Sequence, residues 1–377
     1  MRPRRLLTIV AAGATASALA LAGAAPAGAY TTTPVTCAQP DGRVSAIALS
    51  GGVAYLGGRF TTVRDRNGTS QPRAHLAAVD LATCSLTGWR ADTDGEVTAL
   101  AVSSGVVYAG GSFTTVQGAA RSRLAGVTTA GGLTGLDGRL DGSVLGLAVR
   151  SGVLYAGGTF RTSGGAVRNR LAAWSTSGNG LTGWAPTASA AVEAVATDAT
   201  RVYVGGDFAK VGGDPAATHL AALDPTSGAV LPTFRPRPAF PVRGIAVDSS
   251  VVAVAGAGGG GRLATYRLDG TLARTPWQTD GDVQTVTLAG STLVAGGHFA
   301  RVCLGGRTAT TNCADPVTRK KGFAVDRASG TVTGWGPRFN SAGGLFASAY
   351  DAATGRLWVG GDFTTVDGRA VPHLAVF

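Results

Sequence analysis

Lysine is nearly missing from this chain: Lys210, Lys320 and Lys321 are the three lysines among its 33 basic residues. Arginine carries the rest, scattered along the sequence. No basic run is interleaved with aromatics, which argues against a nucleic-acid groove. Histidine is scarce too, with four residues and no acids at a metal-ligand spacing beside them. There is no Gly-x-Ser-x-Gly elbow, so nucleophilic catalysis of that kind has no support. Beyond residue 29 every apolar run is broken by Gly or polar residues, too soon to span a bilayer. No segment after the N-terminus keeps a helical period over three turns, which leaves an all-β chain.

The N-terminus is of another kind. Arg2, Arg4 and Arg5 precede an Ala-rich apolar stretch, and Ala27-Gly28-Ala29 is a small-x-small cleavage signal. Residues 1–29 therefore read as a secretory signal peptide, with the mature chain, 30–377, starting at Tyr30. Without the three leader arginines, 30 basic residues face 22 acids, a net charge of +8. Such a charge suits an anionic envelope polymer better than it suits any fold argument. Four cysteines in an exported chain suggest two disulfides, with three connectivities open.

Glycine is what the chain has in quantity, and its placement is periodic. An aliphatic run into Gly-Gly-x-Phe opens at Gly57, Gly110, Gly157, Gly205, Gly296 and Gly360. Thirteen residues before most of these stands the first residue of an alternating segment: Val44, Val97, Val144, Val192 and Val283. A seventh copy starts at Val242 and decays to Ala255-Gly256-Ala257-Gly258, and in the last copy Leu345 holds the first place. Each unit of about fifty residues reads as four short strands, here a to d. The fourth closes on Trp89, Trp184, Phe234, Trp277 or Trp335, with Leu136 in the second unit. The glycines are expected where neighbouring backbone or a ring approaches closely, and the aromatics in the wedge between units. Units that cannot bury their faces alone stack radially, so the fold expected is a seven-bladed β-propeller of four-stranded blades.

The last unit ends on its third strand. Residues 33–37 precede the first alternating segment and are expected to become the outer strand of the last blade, closing the ring. On that reading Cys37 lies next to Cys84 across the seam, and a Cys37–Cys84 bond locks the closure, leaving Cys303 and Cys313 to staple their own loop. Each bridge would contribute about 2–4 kcal/mol.

The pattern Val202-Tyr-Val-Gly-Gly-Asp-Phe208, then His219-Leu-Ala-Ala-Leu-Asp224, then a closing aromatic, resembles the delta-60 repeats of secreted bacterial propeller proteins. It is similar to repeats of fungal cortical polarity-marker proteins and, more distantly, to kelch repeats with their strand-b diglycine. The resemblance runs from about Val44 to Phe377. It implies a propeller, and an interaction platform rather than a defined chemistry.

His75, His219 and His373 all precede Leu-Ala at the head of the third strand, where other units carry Arg123, Arg170 and Arg262. A position that accepts either residue is a structural slot. The variable place of Gly-Gly-x-Phe is the better functional candidate. It holds Arg59, Ser112, Thr159, Asp207, His298 and Asp362, polar and non-identical, on the face expected to carry the b–c and d–a loops. Arg301, Lys320 and Lys321 flank the longest b–c loop on the same face. Asp92-Thr-Asp-Gly-Glu96 looks like half a calcium loop but lacks the remaining oxygen ligands, and reads as a turn. The ligand-binding set is thus Arg59, Asp207, His298, Arg301, Lys320, Lys321 and Asp362, with no catalytic residue, metal or cofactor assigned. The function expected is a monomeric, exported, non-catalytic binding module for a carbohydrate, a cell-envelope polymer or another exported protein. Its rival is an extracellular polysaccharide hydrolase or lyase using acids such as Asp207 and Asp362.

Overall fold

The computed structural model describes residues 30–303 and 315–377. Among these residues the elements are strands and turns, and no helix is long and apolar enough to cross a membrane. Seven sheets repeat one antiparallel order, a-b-c. Strand a is Val44–Ser50, Val97–Ser103, Val144–Arg150, Val192–Thr197, Val242–Val247, Val283–Ala289 and Leu345–Asp351. Strand b runs from Val53–Gly58 in the first unit to Arg356–Gly361 in the last, and strand c from Leu76–Asp80 to Leu374–Val376. Every strand a packs on the strand a of the next unit, and Val44–Ser50 also packs on Leu345–Asp351.

The diglycines explain that packing. The first glycine of each pair faces the opening side chain of the following strand a. A Cβ on Gly57 would lie 2.6 Å from Val97 Cγ1, and one on Gly110, Gly157 or Gly205 would lie 2.5 Å from Val144, Val192 or Val242. A Cβ on Gly360 would lie 2.6 Å from Val44 Cγ1, so the last unit meets the first by the same rule. The second glycine faces its own unit: a Cβ on Gly58, Gly111 or Gly158 would collide with the carbonyl of Arg43, Glu96 or Ser143. That close approach goes with a bulge, because in all seven units the a–b register slips just after the first residue of strand a.

The fourth strand is weaker than expected. It is regular only as Leu133–Asp137 and Trp277–Thr279 among the described residues. Elsewhere it shrinks to single bridges such as Val79↔Leu86, Trp174↔Leu181, Leu223↔Val230 and Val325↔Val332. Side chains take over there. Tyr55 meets Trp89, Tyr155 meets Trp184 and Tyr203 meets Phe234 edge-on, with ring centroids 5.2, 5.0 and 5.2 Å apart. Such pairs add roughly 0.5–1.5 kcal/mol each beyond their buried area. The indoles then reach the next unit: Nε1 of Trp89 donates to Thr128 O and that of Trp184 to Asp224 O, both at 3.0 Å. A segment anchored by its ring needs little ladder.

Residues 33–37 do not form a regular strand. They lie beside the last strand c, held there by Val35 N donating to Val376 O at 2.8 Å. Cys37 and Cys84 are disulfide-bonded, with Cα atoms 4.5 Å apart. Cys313 lies outside the described residues, and with it the second expected bridge. Tyr30 is anchored further off, its hydroxyl donating to Ala289 O at 3.1 Å and its ring packing against Trp335 and Tyr350.

Candidate functional site

The site is built at the end of the sheets where strand b emerges. A residue in the turn before strand a caps the chain that leaves Gly-Gly-x-Phe. Asp41 accepts the N–H groups of Thr61 and Thr62 at 2.7 and 3.0 Å, and Asp141 those of Arg161 and Thr162 at 2.7 and 2.9 Å. Asp280 serves Ala300 and Arg301, and Ser189 and Asn340 do the same work in their units. The d–a turns and b–c loops therefore share one face, as the strand order requires.

The calcium-like segment belongs to this capping scheme. Asp94 accepts from Thr114 N at 2.7 Å, Thr115 N at 2.8 Å and the Thr114 hydroxyl, while Asp92 accepts from Ala74 N at 2.9 Å and from Arg90. Burial works against the Asp94 carboxylate, but those donors outweigh it and bring its pKa down to about 2. Its oxygens are occupied by the protein.

The head of strand c is a latch. His75, Arg123, Arg170, His219, Lys321 and His373 all have positive φ, between 59° and 76°. Nδ1 of His75, His219 and His373 lies 3.1, 3.1 and 3.2 Å from the carbonyl of Gly58, Gly206 and Gly361. Arg170 reaches the Thr159 carbonyl in the same way, and Arg123 that of Ser112. The backbone returns the contact, His75 N donating to Phe60 O and Gly58 N to His75 O. One side-chain contact to the carbonyl of the second glycine, for His, or of the residue after it, for Arg, suffices, which is why His and Arg interchange.

Between buried glycine and buried phenylalanine, the variable residue faces outward. Arg59, Ser112, Thr159, Asp207 and His298 are exposed and Asp362 is half-buried, whereas Ala257 of the decayed unit is buried. The structure brings some of the expected residues together and leaves others apart. Asp207 pairs with Arg243 at 3.0 Å, and the same guanidinium nitrogen stands 3.3 Å from Glu193. Arg59 approaches Glu96 at 3.8 Å, and Glu96 is held more closely by Arg43 at 2.5 Å and Ser45 at 2.9 Å. Arg43 in turn lies over the Phe346 ring, 4.6 Å from its centroid. Asp362 accepts from Gly343 N at 2.9 Å and Gly344 N at 3.2 Å, and its charge, with that of Asp280, acts on Lys321. Burial is the larger influence on Lys321 and lowers its pKa. Arg301 and Lys320 are exposed, and Arg301 sits in the strand Arg301–Cys303 of the long b–c loop. Asp207 and Asp362 thus have different partners, Arg243 for the first and the Gly343 and Gly344 N–H groups for the second.

Sequence reasoning missed Glu193, Arg243, Glu96, Arg43 and Phe346. Glu193, Arg243 and Phe346 occupy the bulged position, one residue after the first of strand a. The signal was present. Among seven nearly identical segments, that second place changes from Ser45 to Thr98, Leu145, Glu193, Arg243, Gln284 and Phe346. Burial raises the Glu193 carboxyl above its ordinary pKa, Arg243 opposes this and Asp207 adds to it. Glu193, Asp207 and Arg243 thus form one electrostatic unit across the fourth and fifth sheets. Such an arrangement can hydrogen-bond a polar ligand from both sides.

No protein-family model matches the chain, and no curated protein is similar to it in sequence. Solved structures are similar in fold. The WD40 β-propeller domain of Doa1 aligns with a TM-score of 0.57 and 13% identity, covering 91% of this chain and 96% of that one. The computationally designed Ika8 protein aligns with a TM-score of 0.51 and 14% identity, covering 90% of this chain and 98% of that one. At these identities the likeness is one of fold, and the fold it shows is a β-propeller.

Proposed function

We propose that the chain is an exported, seven-bladed β-propeller whose Gly-Gly-x-Phe face binds a carbohydrate, a cell-envelope polymer or another exported protein without chemistry. The observation that carries this reading is the contrast at one repeated position. The scaffold residues around it are buried and nearly uniform, while in six of the seven units the residue itself is polar and at least partly exposed, and it takes five identities there, Arg, Ser, Thr, Asp and His. Variation confined to one face of a rigid repeat is how binding surfaces are built. Export rests on the leader-like residues 1–29, and the Cys37–Cys84 bridge suits an oxidising compartment. Closure of the ring rests on Gly360 meeting Val44 and on residues 33–37 lying beside the last strand c. A closed ring gathers the seven variable positions around one central mouth.

The test is thermal denaturation of the oxidised mature protein with envelope polysaccharides and oligosaccharides. A ligand at one hundred times its Kd stabilises by about 2.7 kcal/mol. One class of polymer is expected to raise Tm, and Asp207→Asn or Arg243→Ala to remove the shift. A stabilisation that both variants keep would move the binding site off this face.

One observation favours the hydrolase or lyase reading. Glu193, whose pKa burial raises, Arg243 lowers and the neighbouring Asp207 raises, stands beside a second carboxylate in a different environment. Polysaccharide turnover abolished by both Glu193→Gln and Asp207→Asn would replace binding with catalysis.

A further inference from the structure

At the opposite end of the sheets, where the a–b and c–d turns lie, three departures of the fifth unit converge on one cavity. The first is a missing ring. Strand b of units one to four carries Tyr55, Tyr108, Tyr155 and Tyr203 two residues before the first glycine, and the fifth unit has Ala253 there. The sixth unit also lacks the tyrosine, having Val294, but its gap beside Trp335 is taken by Tyr30 from the N-terminal segment. Among the described residues no ring pairs with Trp277 in this way.

The second departure is an insertion. Between the bridged Leu272 and Trp277 the fifth unit has four residues, where the first has two between Leu86 and Trp89. The extra length brings Arg274 over the indole, its Cζ 5.6 Å from the ring centroid. Arg274 donates to Arg327 O at 3.1 Å and Ala328 O at 3.0 Å, taking over the hydrogen bond that the Tyr155 hydroxyl makes to Pro225 O in the third unit. The third departure is a reversal of charge. Arg267 stands at the c–d turn position that carries Asp80, Asp224 and Asp326 in other units.

A cavity of about 410 Å³ lies beside Arg274 and Trp277, within the usual range for small-molecule sites, and the first unit has one of about 310 Å³ beside Tyr55 and Trp89. The polar lining of the larger is Ser250, Thr265, Arg267, Arg274 and Arg327, with Trp277 at its base, and none of the described lining residues is acidic. The neighbouring cavity of about 350 Å³ between the fourth and fifth units has the reverse character, with Asp198 and Asp248 in its wall and no arginine. Arg327 is already paired, to Asp248 at 2.5 Å. The Arg267 guanidinium makes two long hydrogen bonds, 3.3 Å each, to Thr271 and Leu272 within its own turn, and its charge adds to the Thr271 hydrogen bonds that hold the Asp269 carboxyl below its ordinary pKa. An exposed guanidinium held by long hydrogen bonds is available to a carboxylate, which Arg recognises with two parallel hydrogen bonds.

We propose that this cavity is a second ligand site, separate from the Gly-Gly-x-Phe face, and that it takes an acidic sugar residue. Arg267 and Arg274 receive the carboxylate, and Ser250 and Thr265 meet the ring hydroxyls. The volume fits one pyranose, and the aromatic base with its hydroxyl and guanidinium rim suits a carboxylated ring better than a bare anion.

Titration calorimetry with glucuronate and with oligogalacturonate tests this, using glucose and inorganic phosphate as the comparison ligands. Two variants accompany the wild type. Arg267→Gln changes an exposed side chain, and Ala253→Tyr restores the ring that units one to four possess. The uronates are expected to bind the wild type, at least tenfold more weakly to R267Q, and not measurably to a folded A253Y. Circular dichroism and Tm establish that both variants are folded. Should A253Y fail to fold, Ala253→Val, the residue found in the sixth unit, takes its place, with at least a fivefold loss of binding expected. Absence of uronate binding to the wild type overturns the proposal, as does uronate affinity unchanged in R267Q. Glucose binding as tight as glucuronate would remove the role of the arginines. Phosphate binding as tight would replace the sugar with a simple anion and overturn the assignment. Because this end of the molecule carries none of the Gly-Gly-x-Phe residues, Asp207→Asn is expected to leave uronate binding unchanged.

Discussion

Gly360 and Val44 provide the sharpest energetic prediction. Gly360 lies next to last in a strand, Arg356–Gly361, so alanine there restricts the unfolded chain and by itself stabilises by about 0.4–1 kcal/mol. The contact reverses the sign. A Cβ 2.6 Å from Val44 Cγ1 and 2.9 Å from its Cβ must push strand a of the first unit away, and overpacking of this kind costs about 1–3 kcal/mol. Val44→Ala removes two buried methyl groups, about 1.6 kcal/mol at 0.8 per CH₂, plus a cavity contribution. In the double variant the new methyl enters the vacated space. Its destabilisation should therefore fall short of the sum of the singles by about 1 kcal/mol or more, within the range found for residues in contact. Equilibrium urea unfolding of the four proteins measures this coupling. Gly157→Ala with Val192→Ala, the same pair inside the chain at 2.5 Å, gives the reference value. Strict additivity for Gly360 and Val44, beside clear coupling for Gly157 and Val192, would refute the contact between the last unit and the first.

Three further outcomes follow from the same geometry. The capping aspartates should make the protein acid-sensitive: with Asp94 brought from an ordinary value of 3.8 to about 2, its contribution is complete above pH 4 and is lost as pH falls towards 2. Asp94→Asn should flatten stability across that window, measured by thermal melts at stepped pH. Glu193 has the opposite sign, because its raised pKa gives stability that disappears as pH rises through the folded value. Glu193→Gln should hold or increase Tm at pH 7, with Arg243 still paired to Asp207; a marked loss would contradict the reading of Glu193 as a strained acid. Replacing Cys37 and Cys84 by serine opens a link between residues 47 apart and should cost up to about 4 kcal/mol by the loop-entropy relation. A negligible change in urea midpoint would mean that the N-terminal segment is held by other contacts.

Strands a to c were legible because their residues repeat and their alternation has period two. The diglycine was legible as a place of close approach, although what approaches the first glycine is a branched side chain from the next unit, such as Val97 at Gly57, rather than a ring. The His/Arg slot was legible from interchange alone, since one side-chain contact to a carbonyl at the end of strand b, that of Gly58 for His75 and of Thr159 for Arg170, is all the fold requires of it. Strand d was over-read. Trp89 and Trp184 mark its end in the sequence, but their indoles carry the anchoring that a ladder would otherwise supply. The bulge was not legible, because a single unpaired residue leaves alternation nearly intact; the changing second place of strand a, which holds Glu193 and Arg243, was legible but pointed to no face without it. The destination of Tyr30 was equally hidden. It packs with Trp335 and Tyr350, some three hundred residues away, and local pattern carries no information about such a contact.

Closure of the seven units into a ring is the claim on which the shared mouth depends, and a distance measurement addresses it most directly. Spin labels on cysteines replacing the exposed residues Ser50, Ser104 and Ala352 would mark the a–b turns of the first, second and last units, with the native cysteines kept oxidised. In a closed ring the first unit is as near to the last as to the second. The Ser50–Ala352 and Ser50–Ser104 separations, read by pulsed electron–electron resonance, should then match and be equally narrow. A Ser50–Ala352 distribution that is much longer or much broader would show an open arc and would contradict the account.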